Sequence, residues 1–206
     1  MIHEVDDALA ALVRREALNG SDIEVVFDAP TKDWASRRNA PTVNLYLYDI
    51  REDLRWAAYG SVDVLDSNGH TGGRAGPPKY FKLSYLVTAW TQRPQDEHRL
   101  LSNLLTCFLR FAVLPADVLP PALAAANGPV RVTIALPPPE DRALSDVWSA
   151  LGGELKPSLD LVTLVAFDAI GEQPVAELVT EPPRVRVSTP EVVEERSRRV
   201  VPARRG

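Results

Sequence analysis

The segment YFKLSYLVTAW, residues 80–90, constrains the fold more than any other stretch of the chain. Phe81, Leu83, Tyr85, Val87 and Ala89 alternate with Lys82, Ser84, Leu86, Thr88 and Trp90, which is the two-residue period of a β-strand. The second set also contains Leu86 and Trp90, so neither face of the strand suits water. Such a strand belongs in the middle of a sheet. The next segment, PQDEHRLLSNLLTCFLRFAVL, reads as a buried helix: Pro94 suits its first turn, and Asp96 and Glu97 complement the positive end of the helix dipole. Leu100, Leu101, Leu104, Leu105, Phe108 and Leu109 make a wide apolar stripe.

The flanking segments supply partners for this strand and helix. Ile2, Val5, Leu9, Leu12 and Val13 predict an N-terminal amphipathic helix, which Asn19 and Gly20 stop because both tolerate a left-handed backbone. DIEVVF at 22–27 predicts a short strand. In the stretch 28–53, DAPTKDWASRRNAPTVNLYLYDIRED, a polar loop leads into a strand where Val43, Leu45 and Leu47 alternate with Asn44, Tyr46 and Tyr48. LRWAAY at 54–59 is expected to form or extend a second strand, and 65–78, rich in Gly, Ser, Asn, Asp and Pro, to be a mobile loop joining two antiparallel strands. After a crossing that contains Pro115, Pro120 and Pro121, VRVTIAL at 130–136 predicts a strand. A short helix in DRALSDVWSALGG should turn Leu144, Val147, Trp148 and Leu151 inward and stop at Gly152 and Gly153. SLDLVTLVAFDAI at 158–170 predicts the last strand. The fold class is therefore α+β: a mixed, largely antiparallel sheet packed with about three helices, followed by an extended C-terminal arm. The domain is expected to span 1–178 and the arm 179–206.

A chain of 206 residues, 45% hydrophobic and 25% charged, is long enough to bury one sizeable core. Its net charge of −5 argues against nucleic acid as the main partner, because phosphate binding needs a face of clustered Lys and Arg. Seven Arg and four Glu give residues 181–206 a local charge of +3, leaving −8 on the first 180 residues. A single cysteine, Cys107, excludes an internal disulfide or a CxxC metal site and fits a reducing compartment. The N-terminus lacks a signal-peptide pattern and no run of apolar residues reaches membrane-helix length, so a soluble, cytoplasmic protein without membrane insertion is expected.

The search for chemistry ends without a catalytic set or a cofactor. His3, His70 and His98 have no metal-binding spacing. GHTGGRAG at 69–76 lacks the GK[ST] ending of a phosphate loop, and PPKY follows where a helix would have to begin. No GxSxG elbow exists, and Cys107 falls in an apolar helix stripe, where a thiol behaves as a small hydrophobe. Asp49, Glu52 and Asp53 form the one carboxylate cluster that a hydrolase or magnesium site would need. The intervening Arg51 and Arg55 favour surface ion pairs instead.

Four segments together resemble the cap, or tail-terminator, proteins of bacterial contractile injection systems, which are phage-tail-like particles. These are IHEVDDALAALVRREAL, FDAPTKDWASRRNAPTVNLYLYDIRED, KYFKLSYLVTAWTQRPQDEHRLLSNLL and DVWSALGGELKPSLDL, and the resemblance covers about residues 1–170. APTKDW, LYLYDIRE and SYLVTAW followed by DEHRLL are its most specific pieces. The resemblance implies a non-enzymatic, homo-oligomeric subunit, a hexamer, that forms a ring on the baseplate-distal end of the inner tube and sheath. Such a ring stops polymerisation and anchors the sheath, within a particle that is retained or released. An adaptor bridging tube and sheath is the alternative, with the carboxylate hydrolase behind it.

A ring subunit needs surfaces for its neighbours, for the tube and for the sheath. Trp34, Arg37 and Arg38 are the first expected contact residues, since Trp and Arg are enriched at binding hot spots, although Trp34 can instead anchor its own loop. The alternating Arg184, Val185, Arg186 and Val187 are the second, as a strand added to a neighbour's sheet edge.

Overall fold

The computed structural model describes residues 1–57, 59–60, 62–65, 71–126, 128–137, 143–167 and 173–174. Helix α1 (Ile2–Leu12) buries Val5, Leu9 and Leu12 of the stripe expected from the sequence, together with Ala8 and Ala10, while Ile2 is half-buried. It runs into one π-helical turn (Val13–Ala17), in which the Leu18 amide donates to the carbonyl of Val13, five residues back, at 3.0 Å. The wider turn keeps Val13, Ala17 and Leu18 all inside the core. Asn19 and Gly20 then take φ of 48° and 72° and end the helix where the sequence placed its stop.

Strand β1 (Glu24–Val26) and the short helix α2 (Lys32–Ser36) lead to β2 (Thr42–Glu52). Next come β3 (Val62–Leu65), β4 (Thr71–Ala75), β5 (Lys79–Trp90) and the helix α3 (Pro94–Arg110). The chain continues through α4 (Pro121–Ala124), β6 (Arg131–Ile134), α5 (Leu144–Ala150), β7 (Leu159–Phe167) and β8 (Gln173–Pro174). The main sheet has the order β1-β2-β5-β7-β6; only β1 and β2 run parallel. β5 lies at its centre, as its two apolar faces require. The result is an α+β fold with a mixed, largely antiparallel five-stranded sheet.

One face of the sheet carries Val43, Leu45, Leu83, Tyr85 and Val87 into a core with Leu9, Leu12, Leu104 and Phe108 of the helices. Tyr85 is fully buried, and its hydroxyl donates to Asp6 Oδ1 at 2.7 Å, tying β5 to α1. Burial raises the pKa of both groups. The hydrogen bond is thus held with the phenol protonated.

Several details depart from the sequence reading, beginning with helix α2, which forms inside the stretch read as a polar loop. The described residues of LRWAAY, 54–57 and 59, are not strand: β2 stops at Glu52, and Asp53 caps a single 3₁₀ turn (Leu54–Trp56) by accepting from the Arg55 amide at 3.3 Å. A capping carboxylate offers the backbone a local partner that competes with the sheet ladder. Within 65–78, residues 71–75 are strand: β4 pairs with β3 on one side and β8 on the other, in a small antiparallel sheet of order β3-β4-β8. Two of its five residues are Gly72 and Gly73, so pairing rather than intrinsic preference makes this strand. Leu109 lies outside the apolar stripe of α3, 67% exposed. Finally, a bulge at Tyr48 inverts the face parity of β2: Leu47 pairs with Tyr85, but Asp49 pairs with Ser84 and Ile50 with Leu83.

The expected boundary between 178 and 179, the arm, and its Arg184, Val185, Arg186 and Val187 lie outside the described residues, as does His70. Among the described residues no helix is long and apolar enough to cross a membrane.

Candidate functional site

The loop that the sequence left open is a built element. Thr31 caps α2 by accepting from the Trp34 amide at 3.3 Å, and Asp33 sits in the first turn beside the positive end of the helix. Trp34 is only 8% exposed. Its indole N–H donates to Asp28 Oδ2 at 2.8 Å, and the Asp28 carbonyl accepts from the buried Asn44 Nδ2 at 2.9 Å, which fastens the loop to β2. Arg38 reaches Glu24 at 2.9 Å and Asp28 at 3.0 Å, with its guanidinium 4.4 Å from the Trp34 ring centroid. Arg37 is exposed and, among the described residues, its side chain donates only to the Asp33 carbonyl of its own helix, at 3.1 Å. Of the three expected contact residues, Arg37 therefore faces solvent, Arg38 is half-buried over Trp34, and Trp34 packs within its own subunit.

The tertiary structure joins Trp34 to residues that sequence reading kept apart. Its ring meets Trp90 edge-on at 5.2 Å, and Trp90 in turn lies 6.4 Å from Trp148 of α5. The Lys156 ammonium sits 4.2 Å from the Trp90 centroid and donates to the buried Glu97 at 2.6 Å; Glu97 also accepts from the Thr91 amide at 3.2 Å. These groups cover the sheet face opposite the main core and divide two clefts that share Ala35 and Trp90. The first, of about 600 Å³, lies between α2, the end of β5 and the first turns of α3, and Arg38, Arg93, Asp96 and Arg99 line it. The second, of about 440 Å³, lies between α2 and the Gly152–Lys156 segment. No local signal marks Lys156 and Glu97 as partners, since 59 residues separate them.

The carboxylates at the end of β2 do not converge. Asp49 pairs with Arg51 at 3.1 Å, Glu52 with Lys79 at 3.5 Å, and Asp53 with Arg55 at 2.8 Å and Lys82 at 3.4 Å. Each is satisfied by its own cation. Among the described residues no three His, Cys, Asp or Glu side chains are grouped to hold a metal ion. His3 and His98 are exposed, and burial pushes the Cys107 thiol up to about 11, as expected of a packing group rather than a nucleophile.

The family model described as the Pvc16 N-terminal domain matches residues 4–181. The chain belongs to this family. Among solved structures, the chain is similar to the sheath/tube terminator of PVC, an extracellular contractile injection system, seen by cryo-EM in the extended state. The two are 24% identical with a TM-score of 0.65, over 95% of this chain and 66% of that one. It is also similar to the tube-terminating cap of the anti-feeding prophage, at 19% identity and a TM-score of 0.58, over 88% of this chain and 60% of that one. These likenesses are of the fold. The chain spans just under two thirds of the first structure's length and less of the second's. No curated protein matches it.

The Arg55 guanidinium, helped by Lys82, holds the buried Asp53 carboxyl down to about 2, from an ordinary 3.8. A pKa lowered by folding adds stability that is complete above the unfolded value and is lost as pH falls through the folded one. Asp53→Asn should therefore cost about 1 kcal/mol at pH 5, a charge-assisted contact weakened by the exposure of Arg55. The difference between wild type and variant should shrink between about pH 4 and pH 2, measured by urea unfolding at fixed ionic strength. A difference that stays constant across this window would refute the ion-pair account.

Proposed function

We propose that the protein is the cap, or tail terminator, of a contractile injection system. It would form a hexameric ring on the baseplate-distal end of the inner tube and sheath, where it ends polymerisation and anchors the sheath. Membership of the Pvc16 N-terminal domain family over residues 4–181 carries this reading, and the fold it shares with two terminator caps supports it. Its partners are further copies of the chain and the tube and sheath proteins of the same particle, without nucleic acid or cofactor. Its role is structural rather than enzymatic, in keeping with carboxylates that are each held by a separate cation. Assembly takes place in the cytoplasm, within a particle that is retained or released.

In this proposal the α2 region, with the exposed Arg37, the half-buried Arg38 and Trp34 fixed behind them, is a contact for a subunit or the tube. Arg184, Val185, Arg186 and Val187 add to a sheet edge of a neighbour. The deciding experiment is electron microscopy of particles assembled with and without the chain. Particles lacking it should have tubes of irregular length and sheaths detached at the distal end; uniform length with attached sheath would overturn the capping role. Deleting residues 180–206 should leave a folded domain that caps poorly, and unchanged capping by that truncation would remove the arm from the mechanism.

A further inference from the structure

The first cleft has features that the described residues do not satisfy. Its lining has an apolar part, with Ile23, Pro41, Trp90 and Leu100, and Arg93 and Arg99 stand exposed on the same lining. Neither guanidinium has a partner among the described residues, whereas Arg38 on the same lining is already held by Glu24 and Asp28. Asp96 is the one carboxylate lining the cleft. An apolar patch beside two guanidinium groups unpaired among the described residues fits an apolar side chain next to a carboxylate.

The same molecule presents that combination elsewhere. Glu154 is exposed and has no partner among the described residues, and Leu155 beside it is 68% exposed. The chain holds both out between two anchors. On one side Gly152 takes a left-handed φ of 65°, and Gly153 lies so close to the Trp148 ring that a Cβ there would stand 3.2 Å from it. On the other, Lys156 is bound to Glu97 and stacked on Trp90. A turn pinned at both ends loses little conformational freedom on docking.

We propose that the cleft lined by Arg93 and Arg99 receives Glu154 and Leu155 of a second copy of the chain. Glu154 pairs with the two arginines, and Leu155 covers Trp90 and Leu100. The donor turn, which borders the second cleft, and the receiving first cleft present different residues, although the two clefts share Ala35 and Trp90. The contact is therefore head-to-tail, and a pair joined by it keeps one free turn on one copy and one free cleft on the other. This deepens the ring reading and rests on it, but the test needs no tube or sheath.

The test is sedimentation of the full-length chain in three forms: wild type, R93E/R99E and E154R. Wild type should self-associate, and each variant should weaken association at least about tenfold, the effect of losing a central charged contact. Mixing the two variants should restore association, because the E154R copy keeps an intact cleft for the unaltered turn of R93E/R99E. L155S, at an exposed position, should weaken association with an unchanged thermal midpoint, separating docking from folding. A wild type that stays monomeric at about 100 μM, where even weak specific contacts form, would overturn the proposal. So would variants that associate as wild type does, or a mixture no stronger than its components. Monomeric wild type would point to an acidic segment of a different protein as the occupant. Failure of the capping reading would appear separately, as particles of normal length in the absence of the chain.

Discussion

Replacing Trp148 by alanine is expected to destabilise the isolated protein by about 3–5 kcal/mol, the range for truncating a buried large aromatic side chain. The residue is 2% exposed and stands between α5 and the sheet face opposite the main core. Its ring lies against Trp90 at 6.4 Å and under the backbone at Gly153. Alanine would leave a cavity that α5, with seven residues, has little means to close. Trp148→Phe should cost clearly less, because it keeps much of the packed area and removes an indole N–H that has no hydrogen-bond partner among the described residues. Urea unfolding measures both variants. An alanine loss below about 1 kcal/mol, the size of an average substitution, would mean that this aromatic cluster is not a structural layer.

Phe108→Ala should cost a similar amount, about 3–5 kcal/mol, while Leu109→Ala, one residue further along the same helix, should change stability by less than about 0.5 kcal/mol. Phe108 is 2% exposed and belongs to the main core; Leu109 is 67% exposed. Successive helix residues point about 100° apart, so α3 sends one into the sheet and the other into solvent. Chemical denaturation of the two variants side by side tests this orientation. Equal losses would show that the buried face of α3 is wider than the structure has it.

The main elements were legible because their patterns are strong and local. Alternation over 80–90 with apolar groups on both faces placed β5 at the centre of a sheet. The stripe of Val5, Leu9 and Leu12 and the stop at Asn19 and Gly20 fixed the first helix, although its final π turn carried no local mark. The errors fall where a competing partner decides the backbone. Asp53 draws LRW into a turn, and β3 and β8 together hold a glycine-containing segment as strand. Leu109 was misread because a helix stripe read from hydrophobicity alone does not say how far around the helix the partner extends.

The candidate surfaces were less legible for a related reason. Trp34 and its arginines were visible as residues, but their orientation depends on Asp28, Glu24 and Asn44, which meet only when β1, β2 and α2 are assembled. The cleft at Arg93 and Arg99 depends on the first turns of α3 facing α2 across the end of β5, and the exposed Glu154 and Leu155 depend on Lys156 finding Glu97 across the fold.

The sequence by itself determined the class of fold, the central strand, the buried helix and, through four matching segments, the family. These are set by periodicity and by motifs read along the chain. Only the tertiary structure decided which side chains remain free for a neighbour. A residue's availability depends on whether groups distant in sequence have already neutralised its charge or covered its ring. Trp34, whose orientation the sequence left open, is covered; Arg93, Arg99, Glu154 and Leu155, which fall in segments that mark the family but not a contact, are left without partners among the described residues.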